Sequence, residues 1–233
     1  MSAKIIITQS NYIPWKGYFD AIAACDAFVI YDDMQYTKRD WRNRNIIKTE
    51  NGLQWLTIPV EVKGRFSQKI NETRIADKDW ALKHWKALQH NYAKAAHYKE
   101  VKDWMEPLYL NCNFDLLTEV NEYFLKAILA FLKVKVNIIR SETFNTNQEE
   151  DKTQRLVNIC SQLSATEYYT GASAKDYLDE NKFAGNNIGV HYIDNSNYPV
   201  YQQLGVGFEH QVSIIDLLFN AGSNSKNYLK NVK

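Results

Sequence analysis

The chain has 233 residues, 45% of them hydrophobic and 24% charged, with a formal net charge of +1. That length and balance predict one large domain, or one domain with an insertion, able to bury its own core. Near-neutrality excludes wholesale attraction to nucleic acid or to anionic membranes, so any basic function is local.

Residues 4–8 form a short β-branched run that reads as a buried strand. Residues 15–25 read as a helix with Phe19, Ile22 and Ala23 on one face, and 27–31 as a second strand. Strand, polar loop, helix, strand is the βαβ pattern and predicts parallel pairing. The segments 46–48 and 54–60 flank Asn51 and Gly52, a two-residue hairpin signal. From residue 77 the apolar period becomes helical, over 79–91, 97–109 and 115–132. The last of these carries Leu117, Val120, Phe124, Ile128 and Leu132 in register, with Asn113 as its expected cap. The α/β rhythm then returns as strand 136–139, helix 149–163, strand 167–170, helix 174–180 and strand 189–193. A helix over 213–220 follows, with Gly222 near its end. The expected fold is α/β, a mostly parallel open sheet of Rossmann-like kind. Residues 1–76 and 133–233 form the core domain with a β-hairpin, and 77–132 form a helical insertion.

Aromatic residues reach 13%, with 15 Tyr and 6 Trp, side chains that suit cores and also polar ring ligands. Cys25, Cys112 and Cys160 form no CxxC pair, which predicts neither a zinc knuckle nor a disulfide framework and favours a reduced, cytoplasmic setting. Cys25 reads as inert core. No apolar run reaches the roughly 18 residues of a membrane span, and MSAKIIITQS does not read as a signal peptide. The five histidines show no HxxxH or HExxH spacing, so no metal site is expected from them. Neither a P-loop nor a GxSxG elbow occurs.

Three stretches carry candidate chemistry. The first, QSNYIPWKGYF, follows the first strand, where loop amides and a helix N-terminus converge in open α/β sheets. Gln9 and Asn11 both donate and accept, Tyr12, Trp15 and Tyr18 offer rings, and Gly17 permits close approach. The second, YDDMQY, follows the second strand. Asp32 and Asp33 offer a place for Mg²⁺ or for a sugar hydroxyl, with successive side chains pointing opposite ways, and Gln35 offers a further amide. The third, YTKRDWRNRNIIK, sets Lys38, Arg39, Arg42, Arg44 and Lys48 among Tyr36, Trp41, Asn43 and Asn45. Guanidinium forks and an indole suit a phosphate attached to a ring. Lys63 and Arg65 lie beyond the hairpin and extend the basic character. Gln202 and Asp216 are later candidates, as site residues or as local caps. The amide-rich turn and the cationic segment are expected to converge on one hollow.

With these stretches assembled, the chain resembles the WbqC-like family through QSNYIPWKGYFDAI, VIYDDMQYTKRDWRNRNIIKTENGLQWLTIPV and the terminal YQQ…F…SIIDLLFNAG. The likeness spans nearly the whole chain. It departs at Ser10, where family members commonly have proline. The resemblance implies a bacterial protein encoded among genes for O-antigen or other surface polysaccharides, and a part in modifying sugars carried by nucleotides or lipids. Transfer of glycine or another acyl group to an amino sugar is one reaction it implies. The opening strand, turn and helix are also similar to the strand–HxGH–helix of nucleotidylyltransferases, with Trp15-Lys16-Gly17-Tyr18 in the HxGH place and both histidines missing. The sequence therefore predicts group transfer, with Gln9, Asn11, Asp32 and Gln35 at the reacting centre. The partner would be a nucleotide, a sugar nucleotide or an activated acyl donor. The alternative is a non-catalytic binder or assembly protein for the same ligand. No nucleic-acid module is recognised, and nothing in the chain fixes an oligomeric state.

Overall fold

The structure, a computed structural model, describes residues 3–147 and 150–232. Five strands form one sheet: β1 (Lys4–Thr8), β2 (Ala27–Ile30), β5 (Asn137–Arg140), β6 (Glu167–Thr170) and β7 (Gly189–Tyr192). Their order is β5-β2-β1-β6-β7, and each neighbouring pair is parallel. Ile6 sits opposite Phe28, Val29 opposite Ile139, and Tyr168 opposite both Ile5 and Val190. A separate antiparallel hairpin pairs β3 (Arg44–Thr49) with β4 (Gly52–Thr57). Gly52 turns it with φ of +112°, a value only glycine adopts easily.

Alternation along the strands divides the interior in two. Ile5, Ile7, Ala27, Val29 and Tyr31 face α5 (Lys152–Gln162) and α6 (Glu180–Ala184), against Leu156, Val157, Cys160 and Phe183. Ile6, Phe28 and Ile30 face the other way, toward Phe19 and Ile22 of α1 (Lys16–Ala23). The same apolar cluster continues through α2 (Trp80–Tyr92), α3 (Tyr98–Leu110), α4 (Leu117–Phe131) and α7 (Ile214–Ala221). Trp85, Phe124 and Phe219 are fully buried there, each contributing about 1.5–3 kcal/mol or more by burial. Helices thus cover both faces of a parallel sheet, the arrangement the sequence predicted.

Most boundaries shift by a residue or a few, and three shifts near residues 115, 150 and 175 involve helix starts. Asn113 does not cap α4, which opens at Leu117 with the Glu119 carboxylate accepting from the Leu116 N–H at 3.3 Å. Helix α5 begins at Lys152 because Asp151 accepts from the N–H groups of Thr153 and Gln154. Position 149 of the predicted helix lies outside the described residues. The predicted helix 174–180 is instead a 3₁₀ turn, Ala172–Asp176, followed by α6, which starts at Glu180 because Asp179 caps the Asn181 N–H. All three cysteines are buried and unpaired. Among the described residues no helix is long and apolar enough to cross a membrane.

Candidate functional site

The strand order fixes where a ligand can enter. From β1 the chain winds outward through β2 to β5, then crosses back to β6 and β7, so winding reverses between β1 and β6. In doubly wound sheets that reversal leaves a crevice at the carboxyl ends of the strands. A cavity of about 480 Å³ lies there, lined by Thr8, Gln9, Gly17 and Tyr18 on the β1 side and by Thr170, Gly171 and Ser173 on the β6 side. Lys152 opens α5 at its rim, and Tyr31, Tyr177 and Asn195 complete the wall. A second cavity of about 640 Å³ adjoins it and shares Trp15 and Asn195. Its wall includes Asn11, Trp41, Asn45, Asn197, Tyr198, His210 and Gln211.

The loop between β1 and α1 is held rigidly over both. Tyr12 N–H donates to the Trp41 carbonyl at 3.1 Å, and Asn45 Nδ2 donates to the Tyr12 carbonyl at 3.1 Å. Ser213 Oγ, the N-cap of α7, donates to the Ile13 carbonyl at 2.7 Å, and Ile214 N–H reaches the Pro14 carbonyl at 2.9 Å. Between these ties Ile13 has φ of +37°, a rare conformation for a β-branched residue that costs about 1–3 kcal/mol and persists only where the surroundings enforce it. Gly17 answers a different need. A Cβ there would overlap the indole of Trp15, so the close approach it allows is that of the protein's own ring.

Asp32 is the centre of a buried polar network. It is fully buried, and its carboxylate accepts from Ser10 N–H at 2.8 Å, Ser10 Oγ at 2.6 Å and Thr118 Oγ1 at 2.6 Å. Burial raises its carboxyl above the usual carboxylate range, against the pull of those bonds and of Arg42. Asn121 Nδ2 then donates to Ser10 Oγ and to the Arg42 carbonyl, each at 2.9 Å. Asp33 points elsewhere, into an ion pair with Arg155 at 2.5 Å and a hydrogen bond from Ser141 Oγ at 2.6 Å. The adjacent acids therefore serve opposite faces. Among the described residues no three His, Cys, Asp or Glu side chains gather to hold a metal ion.

Arg42 joins the amide-rich turn to the basic segment: its two terminal nitrogens donate to Asn11 Oδ1 and Gln9 Oε1. Asp40 lies 3.8 Å from it. Burial works to raise the Asp40 carboxyl, but the bond from Thr37, the nearby Arg42 and Arg44 and the Trp41 N–H hold it below its ordinary value. Trp41 packs on Trp55 with ring centroids 5.5 Å apart, and the Arg44 guanidinium lies 4.0 Å from the Trp55 ring centre. Tyr18 OH donates to the Gln9 carbonyl at 2.9 Å at the mouth of the first cavity.

Asp32, Arg42 and Arg44 line neither cavity, and neither do the other candidates. Tyr12 is fully buried, bonded to His84 Nδ1 at 2.9 Å and Tyr109 OH at 2.8 Å. Tyr36 and Asn43 are buried, Asn43 Nδ2 donating to the Ile58 carbonyl at 2.8 Å. Lys48 is buried and donates to the Gly207 carbonyl and to Gln203 Oε1. Lys38 and Arg39 are exposed, and Gln35 donates outward to the Phe66 carbonyl at 2.9 Å. Arg65 pairs with Glu61 at 3.0 Å beside Lys63 on an exposed turn. Gln202 is exposed, whereas its neighbour Gln203 is the residue that ties the loop, to Glu209. Asp216 is buried under Tyr92 OH at 3.0 Å and Tyr201 OH at 2.8 Å. Lys16, in the HxGH-like place, is buried with Nζ on the Pro199 carbonyl at 2.7 Å and among the rings of Tyr198, Tyr201 and Phe208. Burial lowers it to about 8.

Sequence reasoning passed over Lys152, Thr170, Gly171, Ser173, Asn195 and His210, which line the two cavities. One signal was present: Gly171-Ala172-Ser173 directly follows a strand, the same position relative to β6 that Gln9 holds relative to β1.

The likeness to known proteins is one of sequence alone. No solved structure matches the chain. It is 52% identical over 227 residues to the uncharacterized protein Rv1507c of Mycobacterium tuberculosis, covering 97% of each chain. The WbqC-like protein family matches residues 9–228, from the first cavity-lining amide to beyond α7. The chain belongs to the WbqC-like protein family.

Proposed function

We propose that the protein is a group-transfer enzyme of surface-polysaccharide precursor biosynthesis that binds a phosphate-bearing donor, a sugar nucleotide or an activated acyl compound, at the carboxyl edge of the sheet. The observation that carries this reading is the cavity at the winding reversal between β1 and β6, where doubly wound sheets take their ligands. Lys152 at the start of α5 supplies a cation, and Gly171 and Ser173 let a phosphate approach backbone and hydroxyl donors. Gln9 and Asn11, held by Arg42, orient polar groups at the junction of the two cavities. Catalysis then rests on positioning and charge rather than on a covalent intermediate. Transfer of glycine or another acyl group to an amino sugar fits such a site.

A second reading, a non-catalytic binder, draws support from Asp32. The carboxylate is enclosed by three donors and leaves no lone acid in the first cavity to act as a base. Calorimetric titration with nucleoside-diphosphate sugars, free nucleotides and a coenzyme A thioester, followed by a coupled product assay, separates the two. The enzyme reading expects saturable binding that weakens in Lys152→Ala and a product that accumulates with time. Binding without turnover supports the binder, and no binding of any phosphate compound removes both readings.

A further inference from the structure

The second cavity differs in chemistry from the first. Its lining has no Asp, Glu, Lys or Arg. It has instead a group of carboxamides and two indoles. The nearest cations stand behind that lining and are already engaged, Arg42 by Asn11 and Gln9, Lys16 by the Pro199 carbonyl and Lys230 by Asp194, so a phosphate or carboxylate there would lose hydration without gaining a free cation. Carboxamides donate and accept at once, as sugar hydroxyls do, and flat rings pack on the apolar face of a sugar.

Several of these groups are uncommitted. Among the described residues the side chains of Asn195 and Gln211 make no hydrogen bond, and the Nδ2 of Asn11 donates to nothing while its Oδ1 holds Arg42. The aromatic walls are already fixed. Trp15 meets the Tyr198 ring edge-on at 5.6 Å, Tyr198 OH donates to the buried Asp20 at 2.9 Å, and Trp41 is braced by Trp55. Braced rings spend little ordering entropy on binding, and the uncommitted amides can turn to a ligand without breaking an existing hydrogen bond.

We infer that this second cavity is a subsite for a neutral, polyhydroxylated sugar ring, stacked on Trp41 and hydrogen-bonded by Asn11, Asn195 and Gln211. Because Trp15 and Asn195 belong to both cavities, the sugar meets the phosphate-bearing group across that shared wall. This pairing rests on the reading of the first cavity as the phosphate side, whereas the sugar subsite stands on its own lining.

The test is saturation-transfer NMR on the full chain with three probes: methyl N-acetylglucosaminide, methyl glucuronide and uridine diphosphate. The neutral glycoside is expected to bind with millimolar affinity. Asn195→Ala and Trp41→Ala should each weaken it about tenfold, the equivalent of about 1.4 kcal/mol. Trp41→Ala should leave diphosphate binding within about twofold, and the glucuronide should bind more weakly than the neutral glycoside. Both positions are exposed, so the variants keep the fold. No transfer to the neutral glycoside, transfer indifferent to both substitutions, or equal binding of the glucuronide overturns the inference. Glycoside binding without diphosphate binding upholds the sugar subsite and removes the donor reading of the first cavity.

Discussion

Replacing Asp32 by alanine removes one acceptor from three donors. Ser10 N–H, Ser10 Oγ and Thr118 Oγ1 all reach its carboxylate within 2.8 Å, and the residue has no exposed surface through which water could take its place. A hydrogen bond to a charged acceptor contributes about 1.5–3 kcal/mol net, and a stranded buried donor costs about 1–3 kcal/mol. Two of the three donors are hydroxyls that can rotate, so the Ser10 N–H is the group left stranded. Release of the carboxylate from its buried setting offsets part of the loss, because that setting already raises its proton affinity. The expected net cost is about 2–3 kcal/mol, set by the stranded Ser10 N–H and the lost hydroxyl bonds, because the substitution leaves neutral donors and no unpaired buried charge. Urea denaturation of wild type and Asp32→Ala measures it, and Asp32→Asn, which keeps one acceptor oxygen, should lose less. The pH dependence has a definite sign. The native carboxyl holds its proton above the ordinary 3.8, so the native state binds more protons than the unfolded chain just above that pH. This group's contribution therefore falls as pH rises through that window, and Asp32→Asn removes it. A loss below about 1 kcal/mol with the fold intact would refute this reasoning, since three satisfied donors cannot be worth so little.

Burial pushes the His84 imidazole down from 6.5 to about 4, so the native ring stays neutral while the unfolded chain takes up a proton. Stability should fall as pH drops from about 6.5 toward 4, by at most about 3 kcal/mol, and His84→Gln should flatten that slope in pH-dependent thermal unfolding. Gly17→Ala drives a Cβ into the Trp15 indole, and displacement of that ring should cost about 1–3 kcal/mol and weaken ligands of both cavities, read by urea denaturation and calorimetry. Arg42→Ala frees Gln9 and Asn11 from their shared donor. It should lower stability by about 1–3 kcal/mol in urea denaturation and weaken nucleotide-sugar binding in calorimetric titration.

The elements most legible in the sequence were those whose signals are local. The β-branched run of β1, the apolar run of β2 and the Asn51-Gly52 turn each declare themselves within a few residues, and the helical spacing of α4 is sustained over four turns. The junction of the early turn with the basic segment was also readable, and Arg42 lies between Gln9 and Asn11. Depth was not. Lys48, Tyr12 and Asn43 look like members of a solvated or ligand-facing run, yet each is buried because its partner comes from a distant segment: Gly207, His84 and Ile58. The far wall of the cleft was missed for the same reason. Thr170, Gly171 and Ser173 gain their place only when β6 pairs beside β1, and that pairing joins residues over 160 positions apart. The misplaced helix near 174 reflects a competition the periodicity cannot see, in which Asp179 caps α6 and pulls its start forward.

The central claim concerns where a phosphate-bearing ligand sits, and amide chemical-shift mapping during titration with a nucleoside-diphosphate sugar addresses it directly. The account predicts that the largest shifts fall on Thr8 and Gln9 at the end of β1, on Gly171 and Ser173 beyond β6, and on Lys152. Shifts centred instead on the exposed Lys38–Arg39 turn, or no saturable shifts with any such sugar, would contradict it.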